Sequence, residues 1–127
     1  MCGIILTNFQ SLTGKSFNEA LKLMNHRGPD YQSSIEINGL RMGHNRLSII
    51  DLDSRSNQPF SIDKLHIIYN GELYNFQELK KRFKLNVTTT SDTEVVLLMY
   101  KKFGPKCLEY FNGMFAFAIY DENTNDI

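Results

Sequence analysis

The sequence predicts an α+β fold built mainly from antiparallel sheets. Two observations carry this. Asn38-Gly39 lies between the strand-like stretches 33–37 and 40–50, and Asn-Gly so flanked is the strongest short hairpin signal. The amphipathic helical segments fall between strands without regular strand–helix–strand alternation. A chain of 127 residues fits a single domain, and nine Phe and six Tyr supply the bulk for its core.

Residues 3–9 form a short apolar run rich in β-branched side chains, which predicts a buried strand. A helix follows, with Ser16 as its cap, Glu19 closing a capping box, and Phe17, Ala20, Leu21 and Met24 on one face. It stops near residues 25–28, and Pro29 prevents its continuation. After the hairpin, residues 51–59 are polar and loop-like. Residues 65–69 predict a strand that ends in a turn at Asn70-Gly71-Glu72. Phe76, Leu79 and Phe83 mark a second amphipathic helix. Ser91-Asp92-Thr93-Glu94 is a capping box opening an apolar helix over 95–103, which Gly104-Pro105 breaks. Residues 114–120 predict a last, nearly all-apolar strand.

The net charge of zero gives no electrostatic footprint for nucleic acid or an anionic membrane. No apolar run reaches membrane-spanning length. The two cysteines make no disulfide framework, and no Cys/His cluster has zinc spacing, which points to a reducing, cytoplasmic setting and no metal.

Cys2 is the first candidate for chemistry. Loss of Met1 would place a free α-amine beside the thiol. Such an amine titrates near ~7.7 to 8.0, close to working pH, so it suits the role of the thiol's base. The plain alternative is a small apolar residue at a strand end. Asn70 and Gly71 combine a side-chain donor with a closely approachable backbone N–H, the makings of an oxyanion hole, although Asn-Gly is also an ordinary turn. Arg46 has the guanidinium to hold a carboxylate, or is a strand-edge charge. Asp92, just inside a helix start, either binds a ligand ammonium or offsets the helix dipole. His26, His44 and His66 show no spacing that marks a catalytic base, and Cys107 reads as a buried helical residue.

Taken in order, Met1-Cys2-Gly3-Ile4, His26-Arg27-Gly28-Pro29-Asp30, Arg46-Leu47-Ser48-Ile49-Ile50-Asp51, Gln58-Pro59, Asn70-Gly71-Glu72-Leu73-Tyr74-Asn75, Ser91-Asp92-Thr93-Glu94 and Gly113-Met114-Phe115-Ala116-Phe117-Ala118 cover nearly the whole chain. It resembles the N-terminal glutaminase domain of the asparagine synthetases, within the class II glutamine amidotransferases. The resemblance implies a four-layer αββα sandwich of the N-terminal-nucleophile hydrolase type, occupying residues 1–127 and incomplete at its C-terminal end. It implies hydrolysis of glutamine to glutamate and ammonia through a Cys2 thioester, with Asn70 and Gly71 as oxyanion hole. Arg46 then takes the substrate carboxylate and Asp92 its ammonium. Glu72 lines the same pocket, and Leu47, Ile49 and Ile50 form the adjoining strand.

By the same resemblance the partner is a C-terminal synthetase domain, absent from this chain, that uses ATP and Mg. The glutaminase domain itself needs no cofactor, and a homodimer is an expected assembly. A family fold that has lost turnover and serves as a regulatory module is the competing reading. Retention of every site residue favours the enzyme.

Overall fold

The computed structural model describes residues 2–127. Two three-stranded antiparallel sheets carry the fold. The first joins β1 (Gly3–Thr7), β2 (Tyr31–Ile37) and β3 (Leu40–Arg46) in the order β1-β3-β2. The expected hairpin is there: Ile37 pairs Leu40, and Asn38 and Gly39 both take positive φ, 51° and 81°. The second sheet joins β4 (Phe60–Ile62), β5 (Leu65–Leu73) and β6 (Gly113–Asp121) in the order β4-β5-β6.

Strand alternation sorts the side chains into layers. Leu40 and Met42 of β3 meet Ile68 of β5 and Tyr120 of β6, with Ile4 and Leu6 of β1 packed against them. Even-numbered residues of these strands therefore face the opposite sheet. Ile67, Tyr69, Leu73 and Ile119 point the other way, into a larger core under α2 (Phe76–Arg82) and α3 (Asp92–Phe103). Helix α1 (Gly14–Leu23) buries Phe17 and Leu21 behind the first sheet. A side chain at Gly43 would meet Leu21 at 2.8 Å, so glycine sets how closely helix and strand approach.

Three local expectations are corrected. Thr13, not Ser16, caps α1; its hydroxyl accepts the Ser16 N–H at 3.1 Å. Ser91 caps α3, but Glu94 does not reach back to close the box. Its carboxylate instead takes the N–H and hydroxyl groups of Thr88 and Thr89. Burial pushes the Glu94 carboxyl up, and those four donors more than offset it, holding the group below its usual range. The third correction matters most for the site. Asn70-Gly71 is not a turn, because β5 runs through it to Leu73, paired throughout with β6.

His44 lies fully buried between the sheets, and neither ring nitrogen has a hydrogen-bond partner among the described residues. Burial drives its pKa from 6.5 to about 4; the Tyr69 backbone opposes the shift and the charge of Arg46 adds to it. The unfolded chain thus takes up a proton near 6.5 that the folded chain refuses until about 4. The His44 contribution is complete above pH 6.5 and is lost as pH falls toward 4, by roughly 3 kcal/mol in all. Thermal melts of wild type and His44→Leu between pH 7.5 and 4.5 check this. The wild-type melting temperature should fall more steeply over that interval, and parallel slopes would contradict the assignment.

Candidate active site

Cys2 continues the even-numbered face of β1 toward the second sheet. Its thiol accepts the Leu47 N–H at 3.4 Å, and its backbone carbonyl accepts Arg27 Nε–H at 3.1 Å. The side chain is half-buried and opens into a cavity of about 130 Å3. That cavity is lined by every residue singled out from the sequence: Cys2, Arg46, Leu47, Ile49, Ile50, Asn70, Gly71, Glu72 and Asp92. They come from both sheets, from the loop after β3, and from the start of α3.

The edge of β5 explains the Asn70-Gly71 position. β4 pairs only with residues 65–67, so beyond Ile67 that edge of β5 has no strand beside it. The Tyr69 N–H points there and donates to Gln58 Oε1 at 2.6 Å. Leu73 N–H points there too and donates to Asp92 Oδ2 at 3.0 Å. Period-two alternation aims the N–H of Gly71 at the same edge, between them. A Cβ on Gly71 would lie 2.4 Å from the Met114 carbonyl oxygen and 2.6 Å from Phe115 Cα, so only glycine keeps β5 and β6 in this register. The Asn70 Oδ1 is buried without a partner among the described residues. Asn70 and Gly71 both line the cavity into which Cys2 opens.

Asp92 is 5% exposed, yet it does not act as a simple dipole partner. One carboxylate oxygen takes both the Leu73 N–H and the Tyr69 hydroxyl, the latter at 2.9 Å. Burial, followed by the Asp92 charge, pushes the Tyr69 phenol far above its ordinary range, so it stays a proton donor. The other Asp92 oxygen has no hydrogen bond among the described residues. Arg46 is more committed than expected. Its Nη1 donates to the Asp53 carbonyl at 3.0 Å and to Asn57 Oδ1 at 2.6 Å, and its Nη2 to the carbonyls of Ile50 and Asp51. The guanidinium organises the loop after β3 while lining the cavity. Glu72 stands exposed at the mouth.

Sequence reasoning missed Gln58, Tyr69 and Thr93. Gln58 Nε2 donates to Thr93 Oγ1 at 3.2 Å while its oxygen takes the Tyr69 N–H, tying the loop to β5 and α3. Tyr69 ends an apolar run next to Asn70, and only a polar tip on a core position hints at it. The 26–30 motif works from behind. Gly28 packs where a Cβ would meet the Asn45 carbonyl at 2.2 Å, and Asp30 accepts the Ser48 N–H at 2.7 Å. His26 is exposed, and His66 bonds Ser61 and Glu122 away from the cavity.

A half-buried thiol thus shares one cavity with a buried cation, Arg46, and a buried anion, Asp92. The chain belongs to the glutamine amidotransferase family: residues 1–127 match the family described as the glutamine amidotransferase domain. It is 37% identical to the glutamine-hydrolysing asparagine synthetase B of Escherichia coli over 98% of its length, which is 24% of that protein. It is 38% identical to the glutamine-hydrolysing asparagine synthetase 3 of Bacillus subtilis, over 80% of the chain and 18% of the relative. Amidase chyE of Penicillium rubens is 39% identical over 82% of the chain and 16% of that protein. The chain thus spans about a quarter or less of each of these relatives.

Proposed function

We propose that this domain hydrolyses the side-chain amide of glutamine to glutamate and ammonia through a thioester on Cys2, and feeds the ammonia to an ATP- and Mg-dependent synthetase domain of the asparagine synthetase type. The observation that carries the reading is the convergence of Cys2, Asn70, Gly71, Arg46 and Asp92 on one cavity. Under this reading the two sheets and their helices form the four-layer core of an N-terminal-nucleophile hydrolase.

The steps follow from the groups present. Met1, whose removal the mechanism needs, lies outside the described residues. The freed α-amine takes the Cys2 proton, and the thiolate attacks the amide carbon. Negative charge on the carbonyl oxygen is met by the Asn70 side chain and the Gly71 N–H. Collapse expels ammonia, which takes its proton from the α-ammonium, and water then cleaves the thioester to glutamate. Asp92 presents its free oxygen to the substrate ammonium, and the Arg46 charge faces the substrate carboxylate. Leu47, Ile49 and Ile50 wall the aliphatic chain, with Glu72 at the entrance.

Asp92→Asn tests the substrate grip. The amide oxygen still serves Tyr69 and Leu73, but the charge is gone. An ion pair truncated at one partner costs on the order of 2 to 5 kcal/mol, so KM for glutamine should rise by about 30-fold or more while kcat changes far less. Steady-state kinetics with ammonia release as the readout decide it. An unmoved KM would remove Asp92 from substrate binding.

A further inference from the structure

The loop 47–57 supplies one wall of the cavity, through Leu47, Ile49, Ile50 and Ser56. The segment leading into α3 supplies another, through Ser91 and Asp92. Just past the loop Gln58 Nε2 donates to Thr93 Oγ1 at 3.2 Å; between residues 47–57 and 88–92 themselves, one further hydrogen bond joins the walls among the described residues. Asp51 Oδ2 accepts the Thr90 N–H at 2.7 Å, across 39 residues of sequence.

Asp51 is built for that junction. Its side chain is 3% exposed although it sits in a loop. Its backbone has φ of 49°, the left-handed region, which turns the carboxylate inward and away from the chain direction. The second oxygen takes the Asp53 N–H at 3.3 Å, and Arg55 closes the outer side at 3.3 Å. The backbone carbonyl of the same residue accepts Arg46 Nη2. One residue therefore touches the guanidinium that faces the substrate carboxylate and the backbone two positions before Asp92. Burial pushes the Asp51 carboxyl up, but the Thr90 N–H and its neighbouring donors outweigh burial and hold it ionised well below the usual range.

We propose that Asp51 is a positioning residue for glutamine binding: it fixes the separation between Arg46 and Asp92 by latching the 47–57 loop to Thr90, without touching substrate itself. This rests on the glutaminase reading above. Nothing in the chemistry of the thioester passes through Asp51, so its effect belongs to KM.

The test compares Asp51→Gly with Asp51→Asn in the full-length protein freed of Met1. Glycine keeps the left-handed turn and deletes the carboxylate; asparagine keeps the turn and an oxygen for the Thr90 N–H. Losing a hydrogen bond to a charged group is expected to raise the glutamine KM about tenfold or more in Asp51→Gly, with kcat within about threefold. Asp51→Asn should keep both constants within about threefold of the parent. A folded Asp51→Gly with unmoved KM, a fall confined to kcat, or an equal KM rise in Asp51→Asn overturns the proposal. Should Asp51→Gly not fold, Thr90→Pro deletes the donor instead of the acceptor and carries the same expectation. Cys2→Ala run alongside separates the two readings. Hydrolysis by Cys2→Ala at a rate comparable to the parent removes the Cys2 thioester reading, whereas a Cys2→Ala that has lost hydrolysis beside an unmoved Asp51→Gly removes only the role of Asp51.

Discussion

Cys2→Ala is expected to lose glutamine hydrolysis by roughly 10⁴-fold or more, the scale on which removing a covalent nucleophile acts. The fold should survive. The thiol is half-buried, and it gives up two long bonds, one from the Leu47 N–H at 3.4 Å and one to the Leu47 carbonyl at 3.8 Å. The only other sulfur nucleophile, Cys107, is 1% exposed in the helical layer, and burial raises its thiol pKa, so it is a poor substitute. Cys107→Ala should hydrolyse glutamine near the parent rate. In the full-length protein, synthesis driven by added ammonia should persist in Cys2→Ala, because ammonia enters after the step that needs the thiol. Ammonia release from glutamine at a comparable rate by Cys2→Ala would end the thioester account.

The proposed oxyanion hole gives the second large effect, and its two members should fail differently. Asn70→Ala deletes a side-chain donor from a strand whose backbone pairing to Ala116 stays intact. The donor matters most when charge develops on the carbonyl oxygen, so kcat should fall by roughly 10² to 10³ with little change in KM. Melting temperature should hardly move, since Asn70 Oδ1 gives up no partner among the described residues. Gly71→Ala acts through the backbone. Its Cβ meets Met114 and Phe115 main-chain atoms, so β5 must shift away from β6, carrying the Gly71 N–H out of place. Activity should fall at least as far as in Asn70→Ala, and overpacking should add about 1 to 3 kcal/mol of destabilisation. Kinetics paired with thermal melts check both. An Asn70→Ala that binds glutamine poorly but turns over normally would make the residue a substrate clamp.

Local signals in the sequence were strong where one short motif fixes the geometry. Asn38-Gly39 dictates a hairpin because few other pairs accept positive φ at both positions, and β2–β3 follow from it. The helix faces were equally plain, with Phe17, Leu21 and Leu79 buried as their spacing requires. Asn70-Gly71 shows the limit. The same dipeptide sits inside a continuous strand, because nine residues of pairing with β6 outweigh the local turn preference. Its lack of a side chain serves a close approach between strands rather than a turn.

The residues that line the cavity were legible because the short motifs that hold them come in one order along the chain. Their supports were not. Tyr69 looks like core, Gln58 like loop and Asp51 like a solvated charge, and each gains its role from a partner 11 to 39 residues away. Such pairings depend on how the two sheets meet and on how the 47–57 loop folds around Arg46. Periodicity carries neither.

Covalent trapping tests the central claim most directly. The full-length protein freed of Met1 is mixed with glutamine, quenched in acid during turnover, and digested for mass spectrometry. The account predicts one added glutamyl group, carried by the N-terminal peptide on Cys2 and missing from the Cys107 peptide. A glutamyl adduct on any other residue would contradict it, as would undiminished hydrolysis by protein whose Cys2 is blocked by alkylation.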